Sequence, residues 1–210
     1  MRTHVLTALT ALLGLTALAA LWATLIMTKP VFAWLGADAT VLDYFWGTLS
    51  RTEIEAQIYF DLLRFTPREI EHLVDVKSVL HAGQYLGVVA ACLCVVALLT
   101  VRPDLRRVGL WMLGLCGVAL LAGAATWLLG GWKPLSNALH GLAFEDGSWR
   151  FPDGSLILRL YPRALIQEGL MLFSGALLAS SALVYVIGRF VARNEEPAYV
   201  SMPTRATGTR

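Results

Sequence analysis

Four stretches of the chain, residues 5–28, 79–101, 108–131 and 169–188, carry no Asp, Glu, Lys or Arg. A bilayer core of about 30 Å takes about 20 apolar residues in helical form, so each stretch is long enough to cross it. The pattern predicts an all-α membrane protein with four transmembrane helices. The first stretch has small residues, Ala17, Ala19 and Ala20, of the kind that precede a signal cleavage site. It is nevertheless longer than the apolar core of a signal peptide, commonly 7–15 residues, and reads as a retained anchor.

Polar residues gather between these spans. Residues 29–78 and 132–168 form two long connections, whereas residues 102–107 form a short one that holds Arg102, Arg106 and Arg107. Arg189 and Arg193 follow the last span and Arg2 precedes the first, all on the same side as the short link. Basic residues in short flanks mark the cytoplasmic side. Both termini are therefore expected inside, and the two long connections outside. The tail, residues 194–210, is rich in Thr, Pro and Arg and is expected to be a disordered cytoplasmic segment.

Each outer connection contains a legible local signal. Thr66, Pro67 and Glu69 fit an N-cap, a first helical position and the third position of a capping box. No breaker follows before Gly83, so this helix should run from the membrane boundary straight into the second span. In the second connection, residues 148–151 and 156–161 read as strands around the turn Pro152-Asp153-Gly154, with Pro162 closing the second strand. A small outer cap with a short β-hairpin is the expectation.

Composition narrows the possibilities. Of the 210 residues 57% are hydrophobic and 15% charged, and the mean hydropathy is +0.62. An ordinary soluble domain is about a quarter charged, so the missing polar surface is replaced by lipid. A net charge of +2 without basic stretches gives no reason to expect a nucleic-acid partner. Cys92, Cys94 and Cys116 lie within apolar runs and read as buried thiols. No nucleophile elbow, Gly-rich phosphate loop or His/Glu zinc spacing is present, so no metal and no cofactor is expected.

Histidine is then the main candidate chemistry. His4 fits an interfacial residue of the first span. His81 follows His72 by nine residues, which turns it about 180° away on a regular helix, and suggests a hydrogen bond to a neighbouring element. His72 and His140 lie in separate segments at the outer boundary. Asp75 shares a helix face with His72 and is placed to orient it as a base. Lys77, by itself, reads as a snorkelling anchor.

Two stretches resemble the bacterial lipoprotein intramolecular transacylase (Lit) family. One is His72-Leu73-Val74-Asp75-Val76-Lys77, similar to the family's His…Asp-Val-Lys signature. The other is His140 with Phe144, Trp149, Leu156-Ile157 and Leu160-Tyr161-Pro162, similar to its His…Phe…Trp…Leu-Ile…Tyr-Pro segment. Gly154-Ser155 stands where a Thr-Asp-like pair is expected. The resemblance implies a bacterial cytoplasmic-membrane acyltransferase with its site on the outer face. Its substrate would be a lipoprotein whose N-terminal cysteine carries a diacylglyceryl group. The sn-2 acyl chain would move to the cysteine α-amine and leave a lyso-form lipoprotein. An α-amine of pKa about 7.7–8.0 needs a base, and the departing alkoxide an acid. Under this reading His72 is the base oriented by Asp75 and His140 the acid, an order that sequence leaves reversible. Lys77, Trp149 and Tyr161 are substrate-binding or oxyanion candidates, and Phe144 is packing. The competing readings are a non-enzymatic four-span partner or assembly factor, a bis-histidine haem protein, and an enzyme acting on another lipid.

Overall fold

A computed structural model of the protein describes residues 2–35, 40–47, 65–144 and 147–195. Its helices, in chain order, are α1 (Arg2–Ile26), α2 (Lys29–Trp34), α3 (Thr40–Phe45), α4 (Pro67–Thr100), α5 (Leu105–Gly130), α6 (Trp132–Gly141), α7 (Leu156–Leu160) and α8 (Arg163–Glu195). Helices α1, α4, α5 and α8 are long and apolar enough to cross a membrane. The chain is an all-α, multi-pass membrane protein. The predicted tail lies mostly outside the described residues; its first two, Asn194 and Glu195, complete α8.

The capping box forms as the sequence predicts, and α4 runs without interruption from Pro67 to Thr100. A helix of 34 residues spans about 51 Å, well beyond a hydrocarbon core of about 30 Å. Every charged residue of α4 falls between Arg68 and Lys77, so the excess length is at its start. That polar extension rises beyond the apolar part of the bundle and carries His72.

The four long helices run up, down, up and down. Helix α1 lies along α4, α5 lies along α8, and α1 also touches α5 and α8. Because lipid tails are as apolar as leucine, the helices gain from close approach rather than from hydrophobic burial. Gly109 faces the backbone of Tyr185, and Gly188 that of Leu105 and Arg106, positions where a side chain would not fit. Sparse polar contacts add to this packing: the Trp22 indole N–H donates to Ser180 Oγ at 2.9 Å, and Gln84 Nε2 donates to Thr24 Oγ1 at 3.3 Å. The outward faces expose Val88, Leu99, Leu121 and Leu128, as lipid contact requires.

At one end of the bundle the short helices α3, α6 and α7 gather around the polar start of α4, and α2 is tied to α3 by the Lys29–Asp43 ion pair at 2.6 Å. Val41, Leu42, Tyr44 and Phe45 of α3 pack with Leu73 and Ile157 into a buried cluster. His81 Nε2 lies 2.9 Å from the Phe45 carbonyl oxygen, to which it donates, so it fastens α3 to α4. This is the neighbouring-element hydrogen bond that its spacing suggests.

The predicted β-hairpin does not form. Residues 152–154 do turn, but Leu156–Leu160 is a helix and no strand occurs among the described residues. The reason comes from outside the segment: the Glu69 carboxylate accepts the Ile157 N–H at 3.0 Å. A carboxylate at a helix start satisfies an orphan donor and complements the helix dipole. Burial of Leu156 and Ile157 on one side of the turn completes the preference for helix over strand. Pro162 therefore ends α7 and leads into α8, rather than closing a strand.

Candidate active site

The end cluster encloses a cavity of about 400 Å³ lined by both His72 and His140, together with Trp149, Phe151, Tyr161 and Ile157. Its floor reaches between the spans through Ala23, Leu80, Leu165 and Phe173. Apolar walls continuous with the spans thus meet polar side chains in one cavity.

His72 arrives on the extension of α4, one turn after the cap. It is only 7% exposed and packs against Phe144 and Phe151, with ring centroids at 5.0 and 5.4 Å. Its Nδ1 is buried with no hydrogen-bond partner among the described residues. Burial holds the His72 imidazole below the usual histidine value; the neighbouring His140 pushes the same way, and Asp75 opposes them more weakly. His72 is consequently neutral at neutral pH.

His140 comes from α6, a helix not anticipated from the sequence. Gly131 takes φ 74° between α5 and α6, a left-handed turn that suits glycine and reverses the chain. One helix of ten residues then carries His140 back over the cavity. Its Nδ1–H donates to the Ser136 carbonyl oxygen at 2.8 Å, one turn earlier in the same helix. That bond assigns the proton to Nδ1 and leaves the Nε2 lone pair available in the neutral ring. The His72 and His140 rings lie 6.4 Å apart and within 23° of parallel. On its other contacts His140 meets Phe144 at 5.7 Å and the Trp149 indole at 5.7 Å.

The remaining candidates separate clearly. Trp149 and Tyr161 line the cavity. Asp75 lies on the His72 side of α4 but is exposed, and no hydrogen bond joins it to His72. Lys77 points elsewhere: its ammonium sits 4.3 Å from the centre of the Tyr44 ring, a cation–π contact that anchors α3. Among the described residues no group of three or more His, Cys, Asp and Glu is placed to hold a metal ion.

Glu69 is the residue whose part in the site the sequence does not reveal. Its local capping role is legible, but its side chain is 1% exposed and serves three donors at once. Oε2 accepts from Thr66 N at 2.6 Å and from Thr66 Oγ1 at 2.9 Å, while Oε1 accepts from Ile157 N at 3.0 Å. One carboxylate thus ties the helix bearing His72 to the helix that roofs the cavity. The spacing Glu69 to His72, three residues on one helix face, is the only sequence signal for this placement.

Comparison with known proteins agrees with this architecture. The family model described as lipoprotein intramolecular transacylase Lit matches residues 39–164, more than half of the chain. The chain is similar in fold to the solved membrane integral lipoprotein intramolecular transacylase Lit from Bacillus cereus. That match has a TM-score of 0.63 at 15% identity and covers 92% of this chain and 95% of the other. A histidine-to-arginine variant of the same Bacillus cereus protein matches with a TM-score of 0.60 at 14% identity, covering 92% of each chain. No curated protein matches the chain. On the strength of the matched residues, which include both cavity histidines, the chain belongs to the lipoprotein intramolecular transacylase family and is an acyltransferase of the membrane.

Proposed function

We propose that the protein moves the sn-2 acyl chain of a diacylglyceryl-modified lipoprotein to the α-amine of its N-terminal cysteine, giving the lyso-form. The observation that carries this reading is the shared cavity, in which two imidazoles from different helices face each other at the end of a lipid-exposed bundle. An intramolecular transfer needs no acyl-enzyme, because donor and acceptor belong to one molecule. The protein has to fold the substrate so that amine and ester meet, and such positioning can contribute several kcal/mol.

The geometry favours His140 as the proton carrier. It has the orienting acceptor that a general base requires, the Ser136 carbonyl oxygen, and an Nε2 that this tautomer leaves unprotonated. His140 takes the proton released as the amine attacks, then gives it to the departing glycerol oxygen. His72, neutral in its apolar surroundings, assists as a hydrogen-bonding partner without adding a second positive charge beside His140. This reverses the base assignment first expected for His72, and it leaves Asp75 as a distant modulator. The site lies at the end opposite the arginine-flanked short link. By the positive-inside argument that end faces outward, with both termini cytoplasmic and the lipoprotein and membrane lipid approaching from the outer leaflet.

The test is mass spectrometry of a reporter lipoprotein's N-terminal lipopeptide, from cells that lack apolipoprotein N-acyltransferase and express this chain. An N-acyl cysteine bearing a mono-acyl glyceryl group is expected. In His140→Gln or His72→Gln, with the protein still folded, the rate should fall by about 10²–10⁴-fold. An unchanged diacylglyceryl cysteine beside well-folded wild-type protein would overturn the reading.

A further inference from the structure

Resting on that reading, we infer that the indole N–H of Trp149 is the donor that holds the oxyanion of the tetrahedral intermediate. Trp149 Nε1 is removed from solvent and has no hydrogen-bond partner among the described residues. An indole N–H is a donor only, and burying it unpaired is unfavourable. Such an atom in the wall of an active-site cavity calls for an acceptor that arrives with the substrate.

Position supports the same conclusion. Trp149 lines the cavity that holds both histidines. Its ring stacks on His140, with centroids 5.7 Å apart and planes 28° from parallel. The Arg150 guanidinium, 5.7 Å from the ring centre, adds a second contact that restricts the indole. A donor held in place before the reaction is what electrostatic catalysis requires, because it needs no reorganisation as charge develops.

Three other side chains are less suited. Lys77 is committed to the Tyr44 ring and does not line the cavity. Ser148 Oγ and Ser155 Oγ are also buried without a partner among the described residues, but neither side chain lines it. The His140 ring carries the transferred proton, whereas the indole neither accepts nor releases one. The steps balance simply. The amine nitrogen bonds to the ester carbon, whose carbonyl electron pair moves onto oxygen and is held by Trp149. His140 takes the amine proton. As the carbonyl re-forms, the carbon–oxygen bond to glycerol breaks, and the glycerol oxygen keeps that electron pair and receives the proton from His140.

The decisive variant replaces Trp149 with benzothienylalanine, which keeps the shape of the ring system and substitutes sulfur for the N–H. Purified protein is assayed on a synthetic diacylglyceryl lipopeptide. Loss of one oxyanion donor should lower kcat by about 10²–10³-fold with KM unchanged. Trp149→Phe, checked for a native-like Tm, should show at least the same loss. Wild-type kcat in the benzothienyl variant overturns the assignment, as does a rise in KM with kcat intact, which would make the N–H a ground-state binder. If wild-type protein itself forms no N-acylated product, the transacylase reading fails and this inference falls with it.

Discussion

The two ends of α4 show how differently the molecule is held together. Its long apolar part crosses the bundle with Tyr85, Leu86, Val88 and Leu99 exposed to the surroundings, and touches its neighbours through small residues. One face of its polar extension is sequestered: Glu69 and Leu73 are 1% and 2% exposed, and α3 and α7 fold over them. Lipid solvates the first region, so its individual side chains are replaceable. The second behaves like the core of a small soluble domain, where each lost atom leaves a cavity or an unpaired polar group. The two cavity histidines are therefore positioned in the part of the protein that imposes packing, while the membrane part fixes its place in the bilayer.

The strongest way to break this contrast is to truncate one leucine in each region. Leu42, fully buried in the end cluster, should cost about 2–5 kcal/mol as Leu42→Ala, read as a fall in Tm in detergent. Leu128→Ala, at a side chain 85% exposed, should stay within about 0.5 kcal/mol. Equal losses at both sites would mean that the bundle packs as tightly as the cap.

Glu69 sharpens the comparison further, because it joins two parts of the cap. Glu69→Ala leaves the Ile157 N–H and the Thr66 donors without their acceptor and should destabilise by about 1–3 kcal/mol. Turnover should fall along with it, since α7 no longer sits in register with His72. Glu69→Gln keeps one acceptor oxygen and should recover part of both. If Ala and Gln behave alike, the link to α7 is not the operative contact.

A smaller effect is expected from Lys77→Met, about 0.5–1 kcal/mol from the lost contact with Tyr44. Its kcat should remain near wild type; a loss of oxyanion size would return Lys77 to the active site. The subtlest prediction concerns pH. The Asp75 charge favours protonated His72, so Asp75→Asn should let burial and His140 push the His72 value lower still. His72 would then stay neutral to lower pH, and the acid limb of the kcat profile should move downward. An upward move would give Asp75 a different role. In stability the sign is the same for the parent protein. A lowered folded-state value means that the unfolded chain binds the proton first, so His72's contribution is present above about pH 6.5 and is lost as pH falls below it.

What the sequence by itself determined follows from local rules: the four apolar runs, the capping box at Thr66 and Glu69, the uninterrupted α4, and the turned-away His81. Each depends on residues within a few turns of one another, where helix period, hydrogen-bond capping and bilayer thickness are sufficient. The pairing of His72 with His140, about seventy residues apart, was legible as two boundary histidines but not as a distance. Only the tertiary structure decided that α7 is a helix, because the carboxylate that satisfies its first turn comes from α4. It alone diverted Lys77 to Tyr44, left Asp75 without a bond to His72, and turned Trp149 inward with an N–H that has no partner among the described residues. These outcomes depend on which polar group finds a partner across the fold, and in a buried site of low dielectric that choice outweighs local propensity.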